Sequence, residues 1–399
     1  MSMKKLLGLL TVFPLGFAAY ACSSDDTVTP QPTPTEAGAD TGTGTDGGVT
    51  PKSGGFQITV SGEDLAVNGY AFGPDAKAEG DPPAFVDGWE VKFEHVIVTI
   101  GNVRLNADPE KDEANPENVG AAVAKLDGTF AVDATIGGPI VGKSGSPDEK
   151  TVALGAINAQ SDGKAFDPTA RYAFSYDIVA ASAAAKDVNL DAEGKALYEE
   201  AKTKGWATIY VGTATFKGPA PAAGSVFEKM PKQVKFKLGF KNPASYVNCS
   251  NTDLQQLPSG EFPRGLQASA DKVTTAQITI HTDHAFWNKL NVEGTPLHFD
   301  PIAARASTYG NADAGAGTVT IEDLASVDIT GFQTKANEPL PRRSLVPDYT
   351  APAGQLAFDA NGTTFAAANS FASYLGYSAM SGGHMNADGE CVVKPSFTP

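Results

Sequence analysis

The stretch Trp89-Glu90-Val91-Lys92-Phe93-Glu94-His95-Val96-Ile97-Val98-Thr99-Ile100 decides the fold class of this chain. From Trp89 to His95 the odd positions are apolar or aromatic and the even ones charged. That period of two puts alternate side chains on one face of a half-buried strand. From Val96 onward both faces are apolar, as in a central strand covered on both sides. The alternation places His95 on the apolar face beside Phe93 and Ile97, where a satisfied core histidine is expected.

The same pattern recurs. Arg171 to Val179 sets Tyr172, Phe174, Tyr176 and Ile178 on one face, and Gln233 to Phe240 turns Val234, Phe236, Leu238 and Phe240 inward with Lys235 and Lys237 outward. Val273 to Ile280 aligns Ala276, Ile278 and Ile280, and Trp206 to Phe216 is rich in the Thr, Tyr and Val that favour strands. Helices are few. Asp191 as N-cap and Gly205 as stop predict one over 191–204, with Glu200 and Lys204 one turn apart. Asp300-Pro301 predicts an N-cap with Pro at the first helical position, opening a short helix through Ala306. Many strands, turn-rich connections and short helical insertions imply a mainly β, β-sandwich-like body. Residues 55–399 suffice for one large domain or two packed ones. The run from Gly218 to Gly224, Gly-Pro-Ala-Pro-Ala-Ala-Gly, marks the one candidate seam, near 218–226, and reads equally as a long loop between strands.

The N-terminus carries an address. Lys4 and Lys5 precede a mostly apolar run from Leu6 to Phe17, too short to span a bilayer but suited to a signal peptide. Ala19-Tyr20-Ala21-Cys22 resembles the lipobox of bacterial lipoproteins, with Ala19 where Leu is usual and a bulky Tyr20. The resemblance implies a signal peptide over 1–21, a diacylglycerol on Cys22 and cleavage before it. Ordinary cleavage at Ala19-Tyr20-Ala21 is the competing reading. Residues 23–54 have no large apolar side chain except Val28 and Val49, a composition that cannot offset the entropy of ordering. A lipidated cysteine followed by a disordered tether over 22–54 is therefore expected. As a random coil it would span about 30 Å. Ser23 resembles the outer-membrane form of lipoprotein sorting, which implies an outer-membrane or cell-surface address, with the periplasmic side open. The body as a whole resembles bacterial envelope lipoproteins, a likeness that carries no activity with it.

The formal net charge of −16 at pH 7 repels phosphate backbones, which excludes nucleic acid as a partner and leaves the membrane, reached through the lipid. Of three cysteines, Cys22, Cys249 and Cys391, lipidation of the first leaves a pair expected to be bonded in an oxidising compartment.

Catalytic motifs fare poorly, and the sequence leans against an enzyme. Gly137 to Ser144 matches the phosphate-loop pattern G-x-x-x-x-G-K-[ST]. Gly145-Ser146-Pro147 follows where a helix must start, so a Gly-rich turn is expected. There is no G-x-S-x-G. His384 to Glu390 partly resembles a calcium loop, but Asp388-Gly389 reads more simply as a tight turn before Cys391-Val392-Val393.

Histidine is the remaining signal. His281 sits at a strand end, out of phase with Ile278 and Ile280, and His284 follows in H-x-x-H spacing near a strand-to-helix junction. With His298, and His384 brought in by a Cys249–Cys391 bridge, these could form a zinc or copper site, an imidazole being oriented by Asp283 or Asp300. A dispersed set of hydrogen-bonded structural histidines is the competing account. Three functional readings follow: a lipid-anchored binding or structural protein, a zinc- or copper-binding one, and a carbohydrate or peptide binder, should Trp89, Trp206 and Trp287 lie exposed on one face.

Overall fold

The stretches read as strands from their alternation are strands, and they build two sheets. A computed structural model describes residues 49–80, 83–290, 292, 295–360 and 370–397. The expected signal peptide, Cys22 and nearly all of the expected tether lie outside the described residues. From Gly48 onward the chain forms one compact unit.

In chain order the strands are β1 (Phe56–Ser61), β2 (Trp89–Asn106), β3 (Ala122–Lys125), β4 (Thr129–Asp133), β5 (Ile140–Val141), β6 (Lys150–Ile157), β7 (Arg171–Ile178) and β8 (Ala185–Asp187). They continue as β9 (Thr208–Phe216), β10 (Gln233–Phe240), β11 (Ala244–Val247), β12 (Leu266–Gln267), β13 (Thr274–Ile280), β14 (Gly317–Thr320), β15 (Gly383–Met385) and β16 (Val392–Pro395). The α-helices are short: α1 (Glu63–Asn68), α2 (Ala192–Lys204), α3 (Asp300–Ala303), α4 (Ile321–Leu324) and α5 (Phe371–Met380). The smaller sheet has the order β15-β13-β1-β6-β5; the larger runs β14-β10-β9-β2-β7-β11-β16, with β3, β4, β8 and β12 off that path. This is the mainly β, sandwich-like body expected.

The core lies between the sheets. Phe56, Ile58 and Val60 of β1 and Ala276, Ile278 and Ile280 of β13 share one apolar cluster with Val234, Phe236, Leu238 and Phe240 of β10. Phe56 meets Tyr172 of β7 edge to face at 6.3 Å between ring centroids. A fully buried phenylalanine such as Phe236 contributes about 1.5–3 kcal/mol of transfer free energy.

The long strand β2 corrects one expectation. Its register against β9 shifts between Phe93 and His95, a bulge that inserts Glu94 as an extra residue. The phase of the side chains reverses there. Trp89, Val91 and Phe93 face the main core before the bulge; Val96, Val98 and Ile100 face it afterwards. Ile97 turns instead to a second cluster, formed with Leu197, Tyr198 and Ala201 of α2. His95 is buried, as expected, but not on the face of Phe93. Its Nδ1 meets Asp133 Oδ2 at 2.6 Å.

Helix α2 has its Asp191 cap, which accepts from the Gly194 N–H at 2.8 Å, and its left-handed Gly205 stop. The pairing on its surface differs: Glu200 bonds Lys237 and Lys204 bonds Glu322. Helix α3 spans only Asp300–Ala303, with Phe299 at its N-cap position and no side-chain capping bond. Asp300 is not a cap because its carboxylate is taken by Trp89 Nε1 and, in a bidentate pair, by Arg343. The Gly137–Ser144 run leads through the two-residue strand β5 into a turn before β6. The run from Gly218 to Gly224 lies in the connection between β9 and β10, antiparallel neighbours in one sheet. All three tryptophans are buried, so the reading that needed them exposed falls.

Cys249 and Cys391 are bonded. The bond sits where β11 ends and β16 begins, strands paired with Val247 opposite Val392. No helix among the described residues is long and apolar enough to cross a membrane.

Candidate metal centre

Strand β1 runs parallel to β13, with Ser61 opposite Thr279, and β15 pairs antiparallel on the other side of β13, with His384 opposite Thr279. The apolar residues of β1 and β13 take one phase and face the core. The opposite phase carries Thr59, Ser61, Gln277 and Thr279, all buried. Continued past the strand ends, that polar phase delivers Glu63 and His281. The turn at Asp283–Phe286 then presents His284, and β15 supplies His384.

The approach of β15 is close because the residues before His384 are glycines. A Cβ on Gly382 would stand 2.4 Å from the His281 carbonyl oxygen, and one on Gly383 would stand 2.3 Å from the Tyr246 ring. The His281 N–H donates to the Gly382 carbonyl at 2.8 Å, and the Tyr176 hydroxyl donates to the His384 carbonyl at 3.2 Å. The strand that carries His384 is thus fixed by both sheets.

His281, His284 and His384 each offer a ligand atom, and these atoms lie within 4.8 Å of one another. The His281 and His384 rings stack at 4.4 Å with 13° between planes, and the His284 ring stands nearly perpendicular to both. On a metal with bonds of about 2.1 Å, tetrahedral ligand atoms stand about 3.4 Å apart, so closure requires contraction by about an ångström.

The hydrogen bonding leaves the nitrogens free for that use. The Ser381 hydroxyl has one proton, and it donates to the Ser378 carbonyl at 2.7 Å. Its oxygen, 2.9 Å from His284 Nδ1, therefore accepts from that ring. Nδ1 carries the proton, and the Nε2 lone pair is free to bind. A second partner that fixes the tautomer in this way is what metal-bound histidines require. The Trp287 ring stacks on His284 at 3.7 Å and closes its outer side. Nε2 of His281 is buried without a hydrogen-bond partner, and the two ring nitrogens of His384 are buried with only loose approaches from the Asp388 and Ser381 backbone, none with good hydrogen-bond geometry. Such atoms are costly to leave unpaired.

Electrostatics favours neutral imidazoles at His284 and His384. Burial, and then the neighbouring His384 and His281, push His284 well below the usual histidine range. Burial, reinforced by His281 and opposed by the Asp388 and Ser381 backbone, brings His384 down to about 3. Glu63 stands beside His281, its Oε2 3.7 Å from His281 Nε2 and its Oε1 buried without a partner, though it lies outside the set of mutually close ligand atoms that the three histidines form. Burial raises it to about 7; Glu149, Asp388 and Asp283 act in the same direction, and His281 opposes them.

Of the four histidines singled out from the sequence, three converge and His298 does not. Its Nδ1 lies 3.6 Å from Asp87 Oδ2 and its Nε2 3.3 Å from the Asn288 amide, in a separate buried network with Asp300. The orienting groups also differ from expectation. Asp283 is bonded to Trp287 Nε1 at 3.2 Å, Asp300 is held by Trp89 and Arg343, and Ser381 is the group that orients His284. The turn after His384 has left-handed residues at Asn386 and Ala387, and the Asn386 amide is tied to Asn251 and Asp253. It is a turn in geometry, as its Asp388-Gly389 pair implied.

Glu63 was not legible as a site residue. Its one signal was the alternation Gln57, Thr59, Ser61, which carries the polar phase of β1 on to residue 63. No family model, curated protein or solved structure matches this chain.

Proposed function

We propose that this chain is a lipid-anchored protein of the bacterial envelope whose body binds one transition-metal ion, zinc or copper, through His281, His284 and His384. The observation that carries this reading is the convergence of three histidines, among them His281 and His384 with buried ring nitrogens that make no hydrogen bond of good geometry. In a structural network every buried ring nitrogen finds a donor or acceptor, as His95 does on Asp133. Here a cation is the partner that would satisfy them together. Imidazole suits both zinc and copper, and neutral rings offer lone pairs without competition from protons. The site lies just below the surface: the His281 side chain is 16% exposed, which gives an ion a way in. The anchor and address rest on the lipobox-like Ala19-Tyr20-Ala21-Cys22 and the tether composition.

The test is elemental analysis of the full chain purified from membranes without a histidine tag, then titration of the chelator-stripped protein with zinc and with copper. One ion per chain is expected. A folded protein that takes up neither would leave a binding or structural role without metal, and the histidines would be a packing feature. Mass spectrometry of the native N-terminus reads the anchor, and an unmodified Cys22 would remove it.

A further inference from the structure

Resting on the metal reading above, we propose that Glu63 is the carboxylate of this centre, so that the ion it holds is a divalent cation bound by three imidazoles and one acid oxygen.

Placement comes first. Glu63 and His281 leave the ends of two adjacent parallel strands, β1 and β13, in the same phase, and so arrive at one place. The Glu63 backbone has φ +56°, a left-handed conformation unusual for a side chain of this size. Its N–H is held by the Ser61 hydroxyl at 2.8 Å. The carboxyl group is largely buried, and its contact with His281 at 3.7 Å is close to the separation of about 3.4 Å that two ligand atoms keep on one metal. Its other oxygen is an unpartnered buried acceptor.

Charge separates the ions. Three neutral imidazoles bring no countercharge, so a buried doubly charged ion would carry its whole charge in a medium that penalises it. A carboxylate in the shell halves that charge. Monovalent copper, softer and content with two or three neutral nitrogens, does not need one. The titratable groups that act most on Glu63 are His281, Glu149, Asp388 and Asp283, with no lysine or arginine among them. This surround is built for excess positive charge.

The experiment compares the full-length chain with its Glu63→Gln variant. Zn2+ affinity is measured by competition with a chromophoric chelator. Cu+ affinity is measured against a bathocuproine chelator under ascorbate, which leaves the disulfide intact. Glu63→Gln should weaken Zn2+ by about tenfold or more and change Cu+ by about threefold or less. Equal zinc affinity in both proteins would remove Glu63 from the centre while leaving the three histidines in place. Wild-type protein that binds neither ion would remove the centre itself. Should the variant fail to fold, a crystal structure of zinc-loaded wild type decides: an oxygen of Glu63 within about 2.5 Å of the ion is expected, and its absence overturns the proposal.

Discussion

The histidines of this chain divide into two kinds of buried place. His95 and His298 stand beside groups that complete them: Asp133 at 2.6 Å for the first, Asp87 and the Asn288 amide for the second. His281, His284 and His384 face one another, and apart from the Ser381 bond on the outer nitrogen of His284 their rings have few donors or acceptors. Residue type does not tell these places apart, and neither does depth of burial for His284 and His384, which are as buried as His95 and His298. What tells them apart is where the ring nitrogens find their partners. A histidine whose partner was provided by the fold is structural; one whose partner is missing from the fold has been left for something else.

Reducing the Cys249–Cys391 bond should disturb the two places most unequally and cost the most. A closed loop with a sequence separation of 142 is worth about 5 kcal/mol as an upper, model-dependent figure. The melting temperature should fall clearly under reductant. The loss of order should concentrate at β15 and β16, where His384 sits, and leave the His95–Asp133 pair intact. Amide exchange followed peptide by peptide would show this, and uniform loosening would contradict it.

The next effect is on the ion. His384→Ala should lose metal affinity by about a thousandfold, roughly 4 kcal/mol, with little change in fold. His95→Ala should leave affinity unchanged while lowering stability by about 1–3 kcal/mol, because Asp133 remains buried without its partner. Isothermal titration and urea denaturation of both variants separate the two roles. An ion that binds His384→Ala as it binds the wild type would erase the distinction.

The smallest effect is the pH dependence of the metal-free protein. His384, at about 3 when folded and 6.5 when unfolded, binds a proton only in the unfolded chain between those values, so it adds stability as pH rises from 3 to 6.5. Glu63, at about 7 when folded and 4.5 when unfolded, binds one only in the folded chain between those values, so it removes stability as pH rises from 4.5 to 7. The two offset between 4.5 and 6.5. His284, also held low, adds a positive contribution of at most about 1.4 kcal/mol per pH unit, while Asp283 and Asp300, both raised by burial, act the other way. Denaturation midpoints of the stripped protein should therefore rise less with pH over that window in His284→Ala than in the wild type. An unchanged slope in the variant would assign the dependence to other groups.

The sheets were legible because their core-facing phases are clean, as in Gln233 to Phe240, where Lys235 and Lys237 alternate with the four buried apolar side chains. The bulge at Glu94 was not, because nothing in a run of alternating residues marks one of them as extra; only the pairing with β9 does. His281 could be singled out because it leaves β13 in the polar phase. His298 could not be dismissed, since its partner Asp87 is remote in sequence. Glu63 was missed for the corresponding reason. That β1 lies parallel to β13 is a fact of topology, and no local signal in either strand states it.

That wide separation of ligands along the chain has a kinetic consequence. His281 and His284 are near neighbours, but two nitrogens alone hold an ion weakly, and His384 joins them only when β15 has paired with β13. An unfolded chain therefore presents only a weak two-nitrogen site, and contacts so distant in sequence form late. The ion should arrive after the scaffold, leaving the folding rate as it is and slowing unfolding, since the bonds it makes are absent from the transition state. Its contribution would then be persistence: a body that folds by its sheets and, once loaded, takes longer to come apart.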